Sequence, residues 1–308
     1  MKLPSIKDLA IKNKRVLLRV NYDLPSLSDT SRVDESLPTI KYLLRQNAKI
    51  TLISHSKSSL KPVAAYLSKL LPGVKDCYLR ENLRFDPREE ANDPSFAKEI
   101  ACDKDFFIND AFAVSHRKHA SIVGLPKILP TAFGFDFLEE IENLSKILEN
   151  PARPNVLIIG GAKEDKLADL TKLAAKFDQV LIGGRLPVLV SNQLSIMNNL
   201  VIAKLNSRGK DISRDSIEQF KKIIVGARTV VLSGPMGCYE EEGSETGTKA
   251  VFETIARGPA FSVAGGGDTE MALVKFALKD KIGYISSGGG AMLAFLANGT
   301  LPGIEAVL

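Results

Sequence analysis

Short apolar, β-rich runs alternate with segments of helical periodicity along the whole of this 308-residue chain, and that alternation limits the fold more than any other feature. The runs are RVLLRV (15–20), KITLIS (49–54), DFFIND (105–110), NVLIIGG (155–161), QVLIGG (179–184), LVIAKL (200–205), TVVLSG (229–234), AFSVAGGG (260–267) and GYISSGGG (283–290). Between them lie patterns such as ESLPTIKYLLRQ, SLKPVAAYLSKLL and SIEQFKKIIVGA, with apolar residues at i, i+3 and i+4. A strand covered by helices on both faces reads as a nearly continuous apolar run. The alternation therefore predicts α/β architecture with parallel, doubly wound sheets. The length predicts two domains. DFLEEIENLSKILE (136–149) predicts a long connecting helix that Asn150-Pro151 ends, because a residue before proline avoids the α region. We place the domain boundary near residue 150.

Net charge is +5, which suits small anionic substrates as well as weak nucleic-acid contact. No five-residue Lys/Arg block occurs and aromatics are 6%, so a nucleic-acid platform is disfavoured. Cys77, Cys102 and Cys238 are odd in number, widely spaced and without a C-x-x-C, which argues against a disulfide framework or zinc site. The start, MKLPSIKDLAIKNK, lacks the apolar core of a signal peptide, and no run approaches the ~18 apolar residues of a membrane span. The expected setting is the cytoplasm, away from membranes.

Five strand candidates in the second half end in glycine: GGAK (160–163), GGR (183–185), SGPMG (233–237), AGGGD (264–268) and SSGGG (286–290). Open parallel sheets bind ligands at the carboxyl ends of their strands. Five such turns could leave bare backbone amides facing one crevice, as a polyphosphate or nucleotide site requires. They could also be five unrelated tight turns. No G-x-G-x-x-G follows a first strand, which disfavours a dinucleotide oxidoreductase. GSETGTK (243–249) has the wrong spacing for a phosphate loop of the Walker type and no strand before it.

The first half carries arginines at strand ends and in loops: Arg19, Arg32, Arg84 and Arg117, with His55, His116 and His119. Arginine binds phosphate or carboxylate through two parallel bonds, although scattered arginines are also ordinary solvated surface. HRKH (116–119) offers an i, i+3 histidine pair with no evident third metal ligand. One half thus suits nucleotide phosphates and the other a small anion.

INDAFAVSHRKHAS (108–121), GGAKEDK (160–166), SGPMGCYEEE (233–242), AGGGDTEMAL (264–273) and SSGGGAMLAFLANGTLPGIEAV (286–307) occur in an order that resembles phosphoglycerate kinase. So do RVLLRVNYDLP (15–25), TSRVDESLPTIKYLL (30–44) and RENLRFDPREEANDPSFAKEIA (80–101), so the similarity spans nearly the whole chain. The resemblance implies two Rossmann-like lobes facing a central cleft and joined by a long helix. It implies a 3-phosphoglycerate lobe (1–150), a nucleotide lobe (151–290), and a C-terminal segment (291–308) that returns to the first lobe. It implies magnesium-dependent transfer between ATP/ADP and the carboxylate of 3-phosphoglycerate, by a monomer. Carried over by motif, Arg19, Asn21, Asp23, His55, Arg84 and Arg117 would line the substrate side, with Arg32 catalytic. Gly161, Lys163, Lys166, Gly184, Gly266, Gly267 and Thr269 would meet the nucleotide, Glu240 its ribose, and Asp268 the magnesium. Gly288, Gly289 and Gly290 would offer amides to the transferring group, with Lys163 and Gly289 counted as catalytic. A carboxylate or phosphate oxygen is already ionised at pH 7, so this reaction needs no general base.

The sequence departs from the family in places. RVDFNVP reads RVNYDLP, so Asn21 and Asp23 exchange types and a carboxylate at 23 could repel or misplace an anionic substrate. SHLGRP reads SHSKSS (54–59), without its arginine. Lys163 and Lys166 are three apart where the family has four, which turns the second lysine around its helix. The chain is shorter than full-length relatives, with losses after SHSKSS and mostly between Val190 and Asp211. A kinase-like protein that binds without catalysis, or a kinase for another small carboxylate, is the alternative.

Overall fold

A computed structural model describes residues 2–24, 30–190 and 197–308. The first sheet contains β1 (Arg15–Val20), β2 (Lys49–Ile53), β3 (Cys77–Leu79), β4 (Phe106–Asp110) and β5 (Thr131–Phe133), all parallel, in the order β3-β2-β1-β4-β5. The second contains β6 (Asn155–Ile159), β7 (Gln179–Ile182), β8 (Leu200–Ile202), β9 (Thr229–Ser233), β10 (Phe261–Gly265) and β11 (Tyr284–Ser286), all parallel, in the order β11-β10-β9-β6-β7-β8. The parallel α/β expectation holds for both sheets.

The helices of the first sheet are α1 (Ser31–Arg45), α2 (Lys61–Leu70), α3 (Pro87–Glu90), α4 (Pro94–Ala101) and α5 (Phe135–Glu149). Around the second are α6 (Leu170–Ala174), α7 (Arg214–Val225), α8 (Thr246–Arg257), α9 (Gly267–Lys275) and α10 (Gly289–Asn298), and α11 (Pro302–Glu305) follows. Helices cover the strands on both faces, so Val16, Leu17, Leu18, Val156, Leu157 and Ile158 are buried without alternation.

The chain divides into two compact units, Met1–Glu142 with Thr300–Leu308, and Asn143–Gly299. The division falls inside α5 rather than at its end. Phe137, in the first turns of α5, packs on Phe133 and Phe112 at ring distances of 4.3 and 5.7 Å, which ties that half of the helix to the first sheet. Of the segment 291–308, α10 stays with the second unit and the return begins at Thr300. There the Gly303 amide donates to the Ser115 carbonyl at 2.9 Å, where a Cβ would press on Ser115 and Ile122.

Candidate functional site

In the first unit, strand order reverses direction between β1 and β4, and the carboxyl ends of such neighbours form the ligand crevice of an open sheet. Arg19, next to last in β1, is fully buried. Its Nε donates to Ser121 Oγ at 3.1 Å and its Nη1 to the Val20 carbonyl, while Nη2 has no hydrogen-bond partner. Burial lowers its pKa to about 10 against the pull of Glu89 and Asp23, so it remains a cation at neutral pH. His55, just beyond β2, is 3% exposed and stacks on His119 with ring centroids 4.9 Å apart. His55 Nδ1 and His119 Nδ1 lie 3.8 and 3.9 Å from the same oxygen, Glu89 Oε1. Burial pushes His119 down to about 4, with His55, Arg117 and Arg19 adding to the fall and Glu89 opposing it, so its ring is neutral at pH 7. Arg84 is exposed, its Nε 4.0 Å from Glu90 Oε1, and that carboxylate also lies 3.5 Å from His55 Nε2.

His55 and Arg84 thus share the Glu90 carboxylate, His55 and Arg19 lie close to Glu89, and Arg117 is near enough to act on Arg19 and His119. Arg32, at the start of α1, donates to the Asp23 carbonyl. The Asp23 side chain is engaged within the unit, where its Oδ1 accepts from the Lys57 amide at 2.8 Å and Ser56 Oγ at 3.2 Å. The carboxylate moved from position 21 to 23 thus holds the SHSKSS loop. Asn21 is buried with its Nδ2 unpaired.

In the second unit the reversal lies between β6 and β9. Here the expectation of five bare glycine turns needs correcting. Gly160 donates to the Ser233 carbonyl at 2.8 Å, Gly161 to Pro235 at 2.7 Å and Gly184 to Met236 at 3.1 Å. The Gly234 amide goes to Thr269 Oγ1 at 2.7 Å. The glycines of GGAK, GGR and SGPMG serve close backbone packing, and their amides are spent on it. A Cβ on Gly184 would strike both the amide nitrogen and the carbonyl oxygen of Gly161.

The other two turns differ, although in one of them the Gly288 amide donates to Ser286 Oγ at 3.4 Å. Gly266, at φ 102°, leads into α9, and neither α9 nor α10 has a side-chain cap on its N-terminus. The two helix starts are neighbours: a Cβ on Gly266 would lie 3.5 Å from Gly289 Cα. Two adjacent uncapped helix starts favour an anion through free N–H groups and the dipole. Gly267 and Asp268 are exposed in the first turn of α9. Thr269 beside them is buried and donates to the Gly265 carbonyl at 2.9 Å, so its only donor is committed to the fold.

Lys166 reaches this corner in spite of the shortened spacing. Its Nζ donates to the Gly160 carbonyl at 2.9 Å and the Ser233 carbonyl at 3.2 Å. Burial lowers its pKa to about 8, with Asp268 opposing and Lys163 reinforcing the fall. Lys163 and Glu240 are exposed. Sequence reasoning missed Glu89 and Ser121. PREE reads as a solvated charged turn, and nothing in the pattern reports that Glu89 is fully buried.

The family model for phosphoglycerate kinase matches residues 6–205 and 190–299. The two matches meet where the sequence places the larger internal loss, although 191–196 lie outside the described residues. The curated phosphoglycerate kinase of Finegoldia magna is 35% identical over 392 aligned positions, covering 100% of this chain and 99% of the relative. That of Coprothermobacter proteolyticus is 36% identical, covering 99% and 98%. The solved phosphoglycerate kinase of Coxiella burnetii superposes with a TM-score of 0.83 at 30% identity, covering 99% of both chains. With the family model matched over most of its length and such relatives aligned end to end, this chain belongs to the phosphoglycerate kinase family.

Proposed function

We propose that the protein catalyses reversible, magnesium-dependent phosphoryl transfer between ATP and the carboxylate of 3-phosphoglycerate, acting as a cytoplasmic monomer. The observation that carries the nucleotide half is the pair of adjacent uncapped helix starts, with Asp268 on one of them and the Lys166 ammonium nearby. The acid half rests on unpaired buried donors, Arg19 Nη2 and Asn21 Nδ2, which call for an acceptor and so for an anion.

The protein's work is positioning and charge neutralisation. Arg19, Arg84 and Arg117, with His55, hold the phosphate and carboxylate of the acid. Asn21 donates to the same anion, and Arg32 meets the transferring group. The amides of Gly266, Gly267, Gly289 and Gly290, with Lys163 and Lys166, hold the nucleotide phosphates, and Glu240 holds the ribose, while the Gly288 amide is held by Ser286 Oγ. Gly161, Gly184 and Thr269 act by keeping the strand ends closed on one another. Asp268 is an exposed carboxylate beside a phosphate site, the donor set magnesium takes when waters and phosphate oxygens complete its shell. Bound there, magnesium would neutralise charge on the β- and γ-phosphates. The bonding of Asp23 to the SHSKSS loop speaks against the non-catalytic alternative, since that carboxylate is occupied. The test is ATP consumption across a panel of small carboxylates: 3-phosphoglycerate is expected as the best acceptor, and a better one would overturn the substrate assignment.

A further inference from the structure

The three histidine and carboxylate groups His55, Glu89 and His119 bring ligand-type atoms within 4.8 Å of one another. A metal is the first thought, but the surroundings oppose it. Arg19 is buried beside them, and Arg117 and Arg19 both disfavour positive charge on His119. The atoms left unpaired include Arg19 Nη2, which can only donate. A place with spare donors and fixed cations takes an anion.

Glu89 then needs a reason, because a buried carboxylate in such a place is costly unless paired. It is 0% exposed, and burial alone would raise its pKa. His55, Arg19 and Ser121 outweigh that and keep it ionised, below the ordinary carboxylate range. Its two oxygens are held by one residue: Oε1 accepts from Ser121 Oγ at 2.5 Å and Oε2 from the Ser121 amide at 2.9 Å. With its proton given to Glu89, Ser121 Oγ presents a lone pair to Arg19 Nε at 3.1 Å. The Val20 carbonyl takes Nη1. One arm of the guanidinium, Nη2, is left over.

We propose that Glu89 is a positioning residue that acts through Ser121 to fix the Arg19 guanidinium with Nη2 free for the acidic substrate; this rests on the reading of the first unit as the 3-phosphoglycerate side. The relay sets the direction of Ser121's hydroxyl, which sets which Arg19 nitrogens are consumed. The same carboxylate draws the Nδ1 edges of His55 and His119 to one side.

The inference predicts the opposite of simple charge counting. Removing a negative charge from a cationic pocket should, by Coulomb's law alone, tighten anion binding. Loss of aim should weaken it. The experiment measures 3-phosphoglycerate binding to the full chain by calorimetry, with KM values for both substrates, in Glu89→Gln, Ser121→Ala and the double variant. At least tenfold weaker 3-phosphoglycerate binding is expected in each single variant, with KM for ATP changed less than twofold. The double variant is expected to be no worse than the poorer single one, because both cut one relay. Unchanged or tighter 3-phosphoglycerate binding in Glu89→Gln would overturn the proposal, as would a parallel rise in KM for ATP. If Glu89→Gln does not fold, Ser121→Ala decides alone by the same criteria. Failure of the wild type to bind 3-phosphoglycerate at all would instead remove the functional reading beneath it.

Discussion

Lys166 and Asp110 show how a buried charge acquires a pH window. Lys166 is lowered to about 8 by burial, so it is largely protonated at pH 7 and loses its charge as pH rises through about 8. If it neutralises nucleotide phosphate, kcat/KM for ATP falls along that limb. Lys166→Met should reduce kcat by about 10²–10³, the usual cost of one preorganised electrostatic group, and should abolish the limb. Steady-state kinetics from pH 6 to 9 check this; a variant that retains both rate and limb refutes the role. Asp110 lies at the end of β4, its Oδ1 accepting from the Phe137 amide at 3.0 Å and its Oδ2 unpaired. Burial raises it to about 6 from 3.8, against Thr39 and the amides of Asp136 and Phe137. A raised carboxylate binds more protons folded than unfolded. Its cost to stability is therefore full above about pH 6 and fades as pH falls toward 3.8. Asp110→Asn should stabilise the protein by about 1–3 kcal/mol at pH 8 and by little at pH 4, read by denaturant melts. An equal effect at both pH values would contradict the burial account. Asp110 belongs to the NDAF motif, yet its burial could not be read there. A carboxylate looks the same in sequence whether it is solvated, like Asp268, or enclosed, like Asp110 and Glu89.

At the scale of elements, the strands were legible where apolar runs were long. β1, β2, β4, β6, β7, β8, β9, β10 and β11 begin within a residue of the runs that predicted them. β3 and β5 were missed because CYL and TAF stand alone, whereas the equally short edge strands β8 and β11 lie inside the longer runs LVIAKL and GYISSGGG. The glycine-rich ends were seen but misread in part. The sequence marks where backbone must come close or turn with positive φ, but not what occupies the amide. After β6 and β7 the occupant is a backbone carbonyl of a neighbouring strand end, and after β9 it is the hydroxyl of Thr269 or Thr248; at α9 and α10 no side chain caps the helix. Gly184 is the sharpest case, with φ 63° and the Gly161 backbone in the way of a Cβ. Gly184→Ala should cost about 2 kcal/mol or more, through left-handed strain and overpacking together. A melting temperature within a degree of wild type would show that the corner can open without cost.

For the whole molecule, the two sheets carry complementary inventories. One unit supplies fixed guanidinium groups with spare donors, the other paired helix starts with a lysine and a carboxylate. Neither contains a Ser/His/Asp arrangement among its functional candidates, and none is needed when the attacking oxygen is ionised before the reaction begins. Which unit each motif falls in was legible because motif order travels with the sheets, while the point of division was not, since α5 belongs to both units. The direct measurement is ADP formation from magnesium-ATP in a coupled assay, with and without 3-phosphoglycerate. The account predicts turnover that appears only when the acid is present and ceases when magnesium is chelated. ATP consumption that ignores the acid, or none in its presence, would contradict it.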